Sequence, residues 1–108
     1  MNSYKVKEEN VSLEYYTQGK GEDIIICIHG HGRDVNDFLF LEKRNRKLIL
    51  LVLPHHGKSF FPEHRVENNP LTIDEFDRLF QKILDRESIN RFNFIGFSQG
   101  GRFVLTLL

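Results

Sequence analysis

The length, composition and charge of the chain indicate a small globular unit and exclude several classes of protein. The sequence has 108 residues, of which 40% are apolar and 28% are charged, a composition typical of a folded domain rather than of a disordered chain. Fifteen basic residues balance fifteen acidic ones, so the formal net charge is zero. The overall charge therefore favours neither nucleic acid nor an anionic membrane as a partner.

The N-terminus and the cysteine content indicate the compartment. The sequence MNSYKVKEEN lacks the apolar core of a signal peptide, and no apolar run reaches membrane-spanning length. We therefore expect a soluble, cytoplasmic protein. The single cysteine, Cys27, lies in the apolar run IIICI, which predicts a small buried hydrophobic residue rather than a reactive thiol.

The first half of the chain predicts three strands and a short helix. The stretch VSLEYY predicts a half-exposed strand within residues 4–16, ended by the turn QGKGED. The continuous apolar run DIIICIH (23–29) is typical of a strand that is buried on both faces, as in a parallel sheet covered by helices. Residues 34–46 predict a short helix with an Asp or Asn cap, and KLILLVLP (47–54) predicts a second buried strand.

A loop rich in His, Gly and Pro (54–71) precedes the clearest helix of the sequence, over residues 72–88. Thr72 and Glu75 have the spacing of a capping box. Apolar residues follow at helical spacing and predict the face that packs on the core: Ile73, Phe76, Leu79, Phe80, Ile83 and Leu84.

The last elements are a strand, RFNFIGF (91–97), and a helix that begins at SQGG and continues to Leu108 with no stop signal. The predicted order is β-β-α-β-α-β-α. Strands that alternate with helices favour an α/β fold, with a mostly parallel sheet and flanking helices. Because the final apolar helix needs further structure to pack against, we expect residues 1–108 to be an incomplete single domain, the N-terminal portion of a larger α/β domain.

A candidate nucleophile lies between the last strand and the last helix. Residues 96–100, GFSQG, match the pattern G-x-S-x-G around Ser98. Glycine on both sides lets a strand turn sharply into a helix, so that the serine hydroxyl points out from the carboxyl edge of the sheet. Gln99 opens the helix, where its unpaired backbone N–H can donate to an oxyanion. The alternative is that SQGG is only a tight strand–helix turn.

The glycine-rich loop IHGHGRD (28–34) follows the first buried strand and is expected at the same edge of the sheet. Such a loop suits the second half of an oxyanion hole, and we assign His31 as the donor, through its backbone N–H rather than its ring. His29 is interpreted as a turn histidine that hydrogen-bonds a neighbouring loop.

The histidines also raise the question of a metal. His29 and His31 would need further ligands, for which the sequence offers His55, His56 and His64. No acidic residue or cysteine stands at a recognised ligand spacing, so we predict no metal and no cofactor. Phosphate-binding motifs do not fit either, because Arg102 and Phe103 occupy the positions that a P-loop gives to Lys and Ser/Thr.

Three of these motifs together resemble the α/β-hydrolase superfamily. HGHG at 29–32 is similar to its oxyanion loop, LPHHGKS at 53–59 to the loop that often reads D-x-P-G-H-G-x-S, and GFSQGG at 96–101 to its nucleophile elbow. The resemblance extends from about residue 11 to residue 108. It implies that Ser98 is the nucleophile and that His31 and Gln99 are the oxyanion donors.

The chain departs from the family pattern at two points. Val52 and His55 stand where the middle loop usually has Asp and Gly. The family order of the triad is serine, acid, histidine, yet no Asp, Glu or His follows Ser98. We therefore expect the acid and the histidine to lie beyond residue 108, and the 108 residues alone to show little or no turnover.

The functional interpretation is a serine hydrolase that cleaves a small ester, thioester or amide through an acyl-serine intermediate. The same fold also supports lyases, C–C hydrolases and haloperoxidases, so these remain open. A third hypothesis is a non-catalytic remnant or binding module that keeps the elbow without the triad. The sequence identifies neither the acyl substrate nor the oligomeric state.

Overall fold

The chain forms a five-stranded sheet with helical segments packed on both faces. The computed structural model describes residues 1–30, 32–54, 56–65 and 71–97, without the side chain of His64. The strands are β1 (Asn2–Glu8), β2 (Val11–Gly19), β3 (Asp23–Ile28), β4 (Arg46–Leu51) and β5 (Asn93–Gly96). The helical segments are α1 (Ile73–Glu87) and two 3₁₀ helices, Val35–Leu41 and Glu63–Arg65.

The sheet has the spatial order β1-β2-β4-β3-β5. Strand β3 pairs in parallel with β4 on one side and with β5 on the other. The hairpin β1–β2 adds antiparallel strands beside β4. The predicted α/β architecture is therefore confirmed, and the three parallel strands are those that lead into the predicted site loops.

Two apolar clusters, one on each face of the sheet, hold these layers together. In β3, Ile26 and Ile28 belong to the cluster beneath α1, whereas Ile25 and Cys27 belong to the cluster beneath the 3₁₀ helix Val35–Leu41. This confirms that the apolar run of β3 is buried on both faces. Each such aliphatic side chain contributes about 1.5–3 kcal/mol when it is fully buried.

The N-terminal hairpin was not predicted. The strand predicted at VSLEYY is confirmed as β2, but most of its residues are buried rather than half-exposed. A separate strand, β1, precedes it, and the chain reverses between them at Glu9 and Asn10, with Glu9 at φ 51. Only Val6 of β1 is buried. The strand therefore lacks the repeated apolar alternation by which sequence reasoning recognises a half-buried strand.

The segment after β3 is shorter and tighter than the predicted helix over 34–46. It is a 3₁₀ helix that ends at Leu41, and its two buried side chains, Val35 and Phe38, have the i, i+3 spacing that this helix type brings onto one face. Asp34 caps it by accepting the Asn36 N–H at 2.8 Å. The strand predicted over 47–54 spans Arg46–Leu51. The predicted helix from Ser98 onward lies outside the described residues.

Helix α1 matches the prediction closely. Thr72 Oγ1 accepts the Glu75 N–H at 3.0 Å while Glu75 Oε1 accepts the Thr72 N–H at 3.1 Å, which confirms the capping box. Ile73 was wrongly assigned to the core face, because it is the first helical residue and is 63% exposed. In the described ranges, no helix has the length and apolar character needed to cross a bilayer.

A buried ion pair joins the start of α1 to the preceding loop. Arg65 donates to both carboxylate oxygens of Glu75, at 3.0 and 2.6 Å, and also to Asn10 Oδ1 at 3.0 Å. Both charged residues are more than nine-tenths buried. The Arg65 guanidinium lowers the pKa of Glu75 from 4.5 to about 2. The pair therefore holds the loop, the helix and the turn of the β1–β2 hairpin together.

Glu75→Gln tests this ion pair. Because the pKa of Glu75 is lowered in the folded state, its stabilising effect is complete above pH 4.5 and is lost as the pH falls from 4.5 towards about 2. We expect Glu75→Gln to lower the urea midpoint at pH 7. We also expect the midpoint of this variant to change less with pH in this interval than that of the wild type. The matched control, Glu63→Gln, changes an exposed carboxylate. Equal acid dependence of the wild type and Glu75→Gln would contradict the assignment.

Candidate active site

The carboxyl ends of β3 and β5 lie side by side and bring the predicted site segments to one edge of the sheet. Ile28, the last residue of β3, is paired with Gly96, the last residue of β5. The Phe97 N–H donates to the Ile28 carbonyl at 3.1 Å, so the pairing continues one residue beyond the strand. Carboxyl ends of parallel strands are where α/β proteins place reactive groups. Phe97 thus lies beside the start of the loop that begins at His29.

The three predicted site residues themselves lie outside the described part of the chain. Ser98 and Gln99 follow Phe97 directly, and His31 follows Gly30. Their assigned roles, nucleophile for Ser98 and backbone oxyanion donors for His31 and Gln99, stay predictions. His55 is also outside the described residues, as is the side chain of His64.

The loop after β3 is closed by its own backbone. The Gly30 carbonyl accepts the Arg33 N–H at 3.1 Å, which makes a four-residue turn over 30–33. Gly32, the third residue of this turn, has φ +73, a conformation that favours glycine. Arg33 also pairs with Asp37 at 2.9 Å, which ties the loop to the 3₁₀ helix that follows it.

His29 joins this loop to the loop after β4. The ring is 1% exposed, and its Nε2 accepts the Leu53 N–H at 3.0 Å. Its Nδ1 is therefore the protonated nitrogen and donates to the Gly30 carbonyl at 2.7 Å. Burial lowers the pKa of His29 below 6.5, in keeping with a neutral ring. The interpretation of His29 as a turn histidine that bonds a neighbouring loop is confirmed.

His56 makes a second hydrogen bond between the same two loops. This time the ring belongs to the loop after β4 and the backbone group to the loop after β3. Its Nε2 accepts the Gly32 N–H at 2.8 Å, and its Nδ1 donates to the Pro54 carbonyl at 3.0 Å. The rings of His29 and His56 meet edge to face, with centroids 4.8 Å apart. Sequence reasoning treated His56 only as a metal candidate. The sequence places His56 in a loop at the same edge of the sheet as the turn after β3, but it gives no sign of which atoms the ring contacts.

A carboxylate from β2 holds the loop after β4. Glu14 is 2% exposed, and its Oε1 accepts the Lys58 N–H at 2.9 Å. The Ser59 hydroxyl donates to the Val52 carbonyl and accepts the Glu14 N–H, both at 2.8 Å. The resemblance places Asp at position 52, where this chain has Val. In this chain the carboxylate that contacts the loop after β4 is that of Glu14, in the neighbouring strand β2.

A cleft of about 280 Å³ opens between the two loops and β2. Its walls combine the two edge-to-face histidine rings with acidic and basic side chains. The residues that line it are Glu14, Tyr16, His29, Arg33, Asp34, Val35, Asn36, Val52, His56 and Gly57. Burial, followed by a hydrogen bond to Glu14, raises the pKa of Tyr16 above its usual value of 10.

The described side chains form no metal-ligand cluster, and the single cysteine is not a reactive thiol. Over residues 1–30, 32–54, 56–65 and 71–97, no three His, Cys, Asp or Glu side chains are grouped as metal ligands. Cys27 is buried, and burial raises the pKa of its thiol to about 12. Since the thiolate is the reactive form, Cys27 is an inert core residue, as the sequence predicted.

Comparison with known proteins identifies the family. The model of the alpha/beta hydrolase fold matches residues 23–108, so this chain belongs to the α/β-hydrolase family. Epoxide hydrolases from Vigna radiata and Mycobacterium thermoresistibile superpose on 98% of the chain, each with a TM-score of 0.77, at 15% and 18% identity. At sequence identities this low, the similarity shows a shared fold and nothing more specific.

The chain is much shorter than the proteins that it matches. It covers 33% of the Vigna radiata structure and 34% of the Mycobacterium thermoresistibile structure. A curated relative, the dihydrolipoyllysine-residue acetyltransferase component of the acetoin cleaving system of Pseudomonas putida, is 31% identical over 86 residues. That match covers 77% of this chain and 22% of the relative.

The pH dependence of stability tests the protonation state of His29. Because burial lowers its pKa below 6.5, the folded state binds a proton less readily than the unfolded chain does. We expect stability to fall as the pH decreases from 6.5 towards the lowered pKa. His29→Gln retains an acceptor for the Leu53 N–H but does not titrate, so urea midpoints should fall less steeply over this interval. Identical slopes for both proteins would contradict the assignment.

A pair of glycine substitutions tests how tightly the two loops pack. Both Gly32 and Gly57 have positive φ, +73 and +48. A Cβ at position 57 would lie 2.8 Å from Glu14 Oε1 and 3.0 Å from Val52 Cγ1, whereas at position 32 it would meet nothing within 4 Å. We expect Gly32→Ala to cost about 1 kcal/mol from backbone strain and Gly57→Ala about 1–3 kcal/mol more. Equal losses in urea denaturation would contradict the close packing on Glu14.

Proposed function

We propose that the complete protein is a serine hydrolase that cleaves a small ester, thioester or amide through an acyl-serine intermediate on Ser98. The observation that supports this most is the pairing of the strand ends. Gly96 lies opposite Ile28, and the Phe97 N–H bonds the Ile28 carbonyl. The strand that carries the first residue of the G-x-S-x-G motif thus ends beside the start of the glycine-rich loop, which supports a nucleophile elbow next to its oxyanion loop.

The backbone of the loop after β3 supports His31 as one oxyanion donor. The N–H groups of Gly32 and Arg33 are already engaged, by His56 Nε2 and by the Gly30 carbonyl. Neither is therefore available to a tetrahedral intermediate. In the proposed mechanism the His31 N–H takes this role together with the N–H of Gln99, and each donor contributes by stabilising negative charge as it develops.

Serine at position 98 favours acyl substrates over epoxides. Attack of the Ser98 oxygen on an acyl carbon expels an alcohol, a thiol or an amine, and water then cleaves the resulting ester to restore the hydroxyl. Attack on an epoxide carbon would open the ring but leave an alkyl ether. An ether has no carbonyl for water to attack, so the enzyme would not be regenerated. The epoxide hydrolases among the structural neighbours therefore do not define the substrate.

The base that activates Ser98 has to come from another part of the protein. Both ring nitrogens of His29 and of His56 are engaged with backbone groups, so neither ring is available to accept the serine proton. We propose that residues 1–108 form the N-terminal part of the domain, and that an acid and a histidine follow Ser98 in the complete reading frame. The mechanism needs no metal or organic cofactor.

Covalent labelling of the complete protein tests this proposal. A fluorophosphonate probe should label one peptide, the one containing Ser98, with loss of fluoride. Hydrolysis of p-nitrophenyl acetate should fall by about 10⁴- to 10⁶-fold in Ser98→Ala, and labelling should disappear. Ser3→Ala, which changes a serine in the exposed part of β1, is the matched control and should behave as the wild type.

The outcomes of this experiment separate the candidate functions. Labelling and ester turnover that persist in Ser98→Ala would contradict the proposal. A complete protein that neither reacts with the probe nor turns over esters would instead support the non-catalytic binding module. Turnover of styrene oxide with retained activity in Ser98→Ala would point to chemistry in which the serine takes no part.

A further inference from the structure

We propose that His56 is a positioning residue that fixes the oxyanion loop by holding the Gly32 N–H. This inference rests on the proposed function, in which the His31 backbone N–H stabilises the oxyanion. The described atoms on both sides of His31 are held by histidine rings. On the N-terminal side, His29 Nδ1 donates to the Gly30 carbonyl at 2.7 Å, and on the C-terminal side His56 Nε2 accepts from Gly32 at 2.8 Å.

The backbone around His56 makes it a rigid anchor. Its N–H donates to the Leu53 carbonyl and its carbonyl accepts the Ser59 N–H, each at 3.1 Å. Its Nδ1–H donates to the Pro54 carbonyl, which fixes the tautomer that leaves the Nε2 lone pair for Gly32. The ring is thus held in orientation before it contacts the oxyanion loop.

Apart from the turn that the Gly30 carbonyl and the Arg33 N–H close, the described residues give Gly32 little else to hold it. It is exposed, its φ is +73, and no atom of the described residues lies within 4 Å of the place where a Cβ would point. Water could satisfy an exposed N–H at almost no cost, so a single such hydrogen bond adds little to stability. The effect of the His56 bond is therefore mainly geometric. It selects one orientation for a peptide unit that glycine would otherwise allow to rotate.

Geometry at this position matters more for rate than for binding. A backbone donor stabilises the transition state only when it points at the place where the oxyanion forms. Displacing a group by about 1 Å can cost about 100-fold in rate. If His56 sets the loop, its loss should lower kcat much more than it raises KM, because the substrate in its ground state depends less on the oxyanion donors.

Two amide substitutions at one position separate the acceptor role from simple packing. In His56→Gln the amide oxygen reaches about as far as Nε2 and can accept the Gly32 N–H. In His56→Asn the amide reaches only as far as Nδ1, so it can donate to the Pro54 carbonyl but cannot reach Gly32. On the complete protein, with p-nitrophenyl acetate, we expect kcat within about threefold of wild type for His56→Gln. For His56→Asn we expect a loss of about 10- to 100-fold with little change in KM.

Hydrogen exchange of the Gly32 amide provides a readout that does not depend on turnover. It should be slow in the wild type and in His56→Gln, and faster in His56→Asn, while the Leu53 amide, which is held by His29, stays protected in all three. Urea midpoints of the two variants should agree, which shows that both fold.

The possible results test the positioning role of His56 and the serine hydrolase function separately. Probe labelling of Ser98 with equal kcat values for the two variants would overturn the role of His56 and leave the serine hydrolase standing. Equal exchange of Gly32 in the two variants would overturn the positioning bond itself. Absence of probe labelling in the wild type would overturn the proposed function and, with it, the catalytic role of His56, even where the exchange pattern showed that the bond exists.

Discussion

The parallel pairing of β3 with both of its neighbours is the constraint on which the rest of the structure depends. Hydrogen bonds on both sides place Ile28 opposite Leu51 of β4 and Gly96 of β5, so three chain segments leave the sheet at the same level. The apolar run of β3 makes this position favourable, because its side chains are buried beneath helical segments on both faces. A shift of register would move the candidate nucleophile away from the loop that is proposed to serve it.

From this edge outward, hydrogen bonds position the loops in addition to the apolar packing of Val52 and Leu53. The rings of His29 and His56 exchange bonds with backbone groups of the opposite loop, and each needs one unprotonated nitrogen to do so. Glu14 likewise holds the loop after β4, because its carboxylate accepts the Lys58 N–H. Polar groups of this kind, satisfied by backbone partners, define one conformation for glycine-rich segments that could adopt many. The two histidines are therefore understood as parts of the scaffold around the site that is proposed for Ser98.

The sequence predicted those features that are encoded locally. The buried strands β3 and β4 were visible as continuous apolar runs, and the capping box of Thr72 and Glu75 marked the start of α1 to within one residue. Strand β1 was missed because its pattern is almost wholly polar. The roles of His56 and Glu14 could not be predicted, because their partners are 24 and 44 residues away along the chain and meet them only after the sheet has formed. A ring that accepts a backbone N–H leaves no pattern in the neighbouring sequence.

The central claim is that the loop after β3 and the turn after β5 together form an oxyanion hole around Ser98. A crystal structure of the complete protein with a phosphonate bound covalently tests it most directly. We predict a bond from Ser98 Oγ to phosphorus, with the phosphonyl oxygen about 2.7–3.1 Å from the backbone nitrogens of His31 and Gln99. An adduct on another residue, or a phosphonyl oxygen that contacts neither nitrogen, would contradict the account.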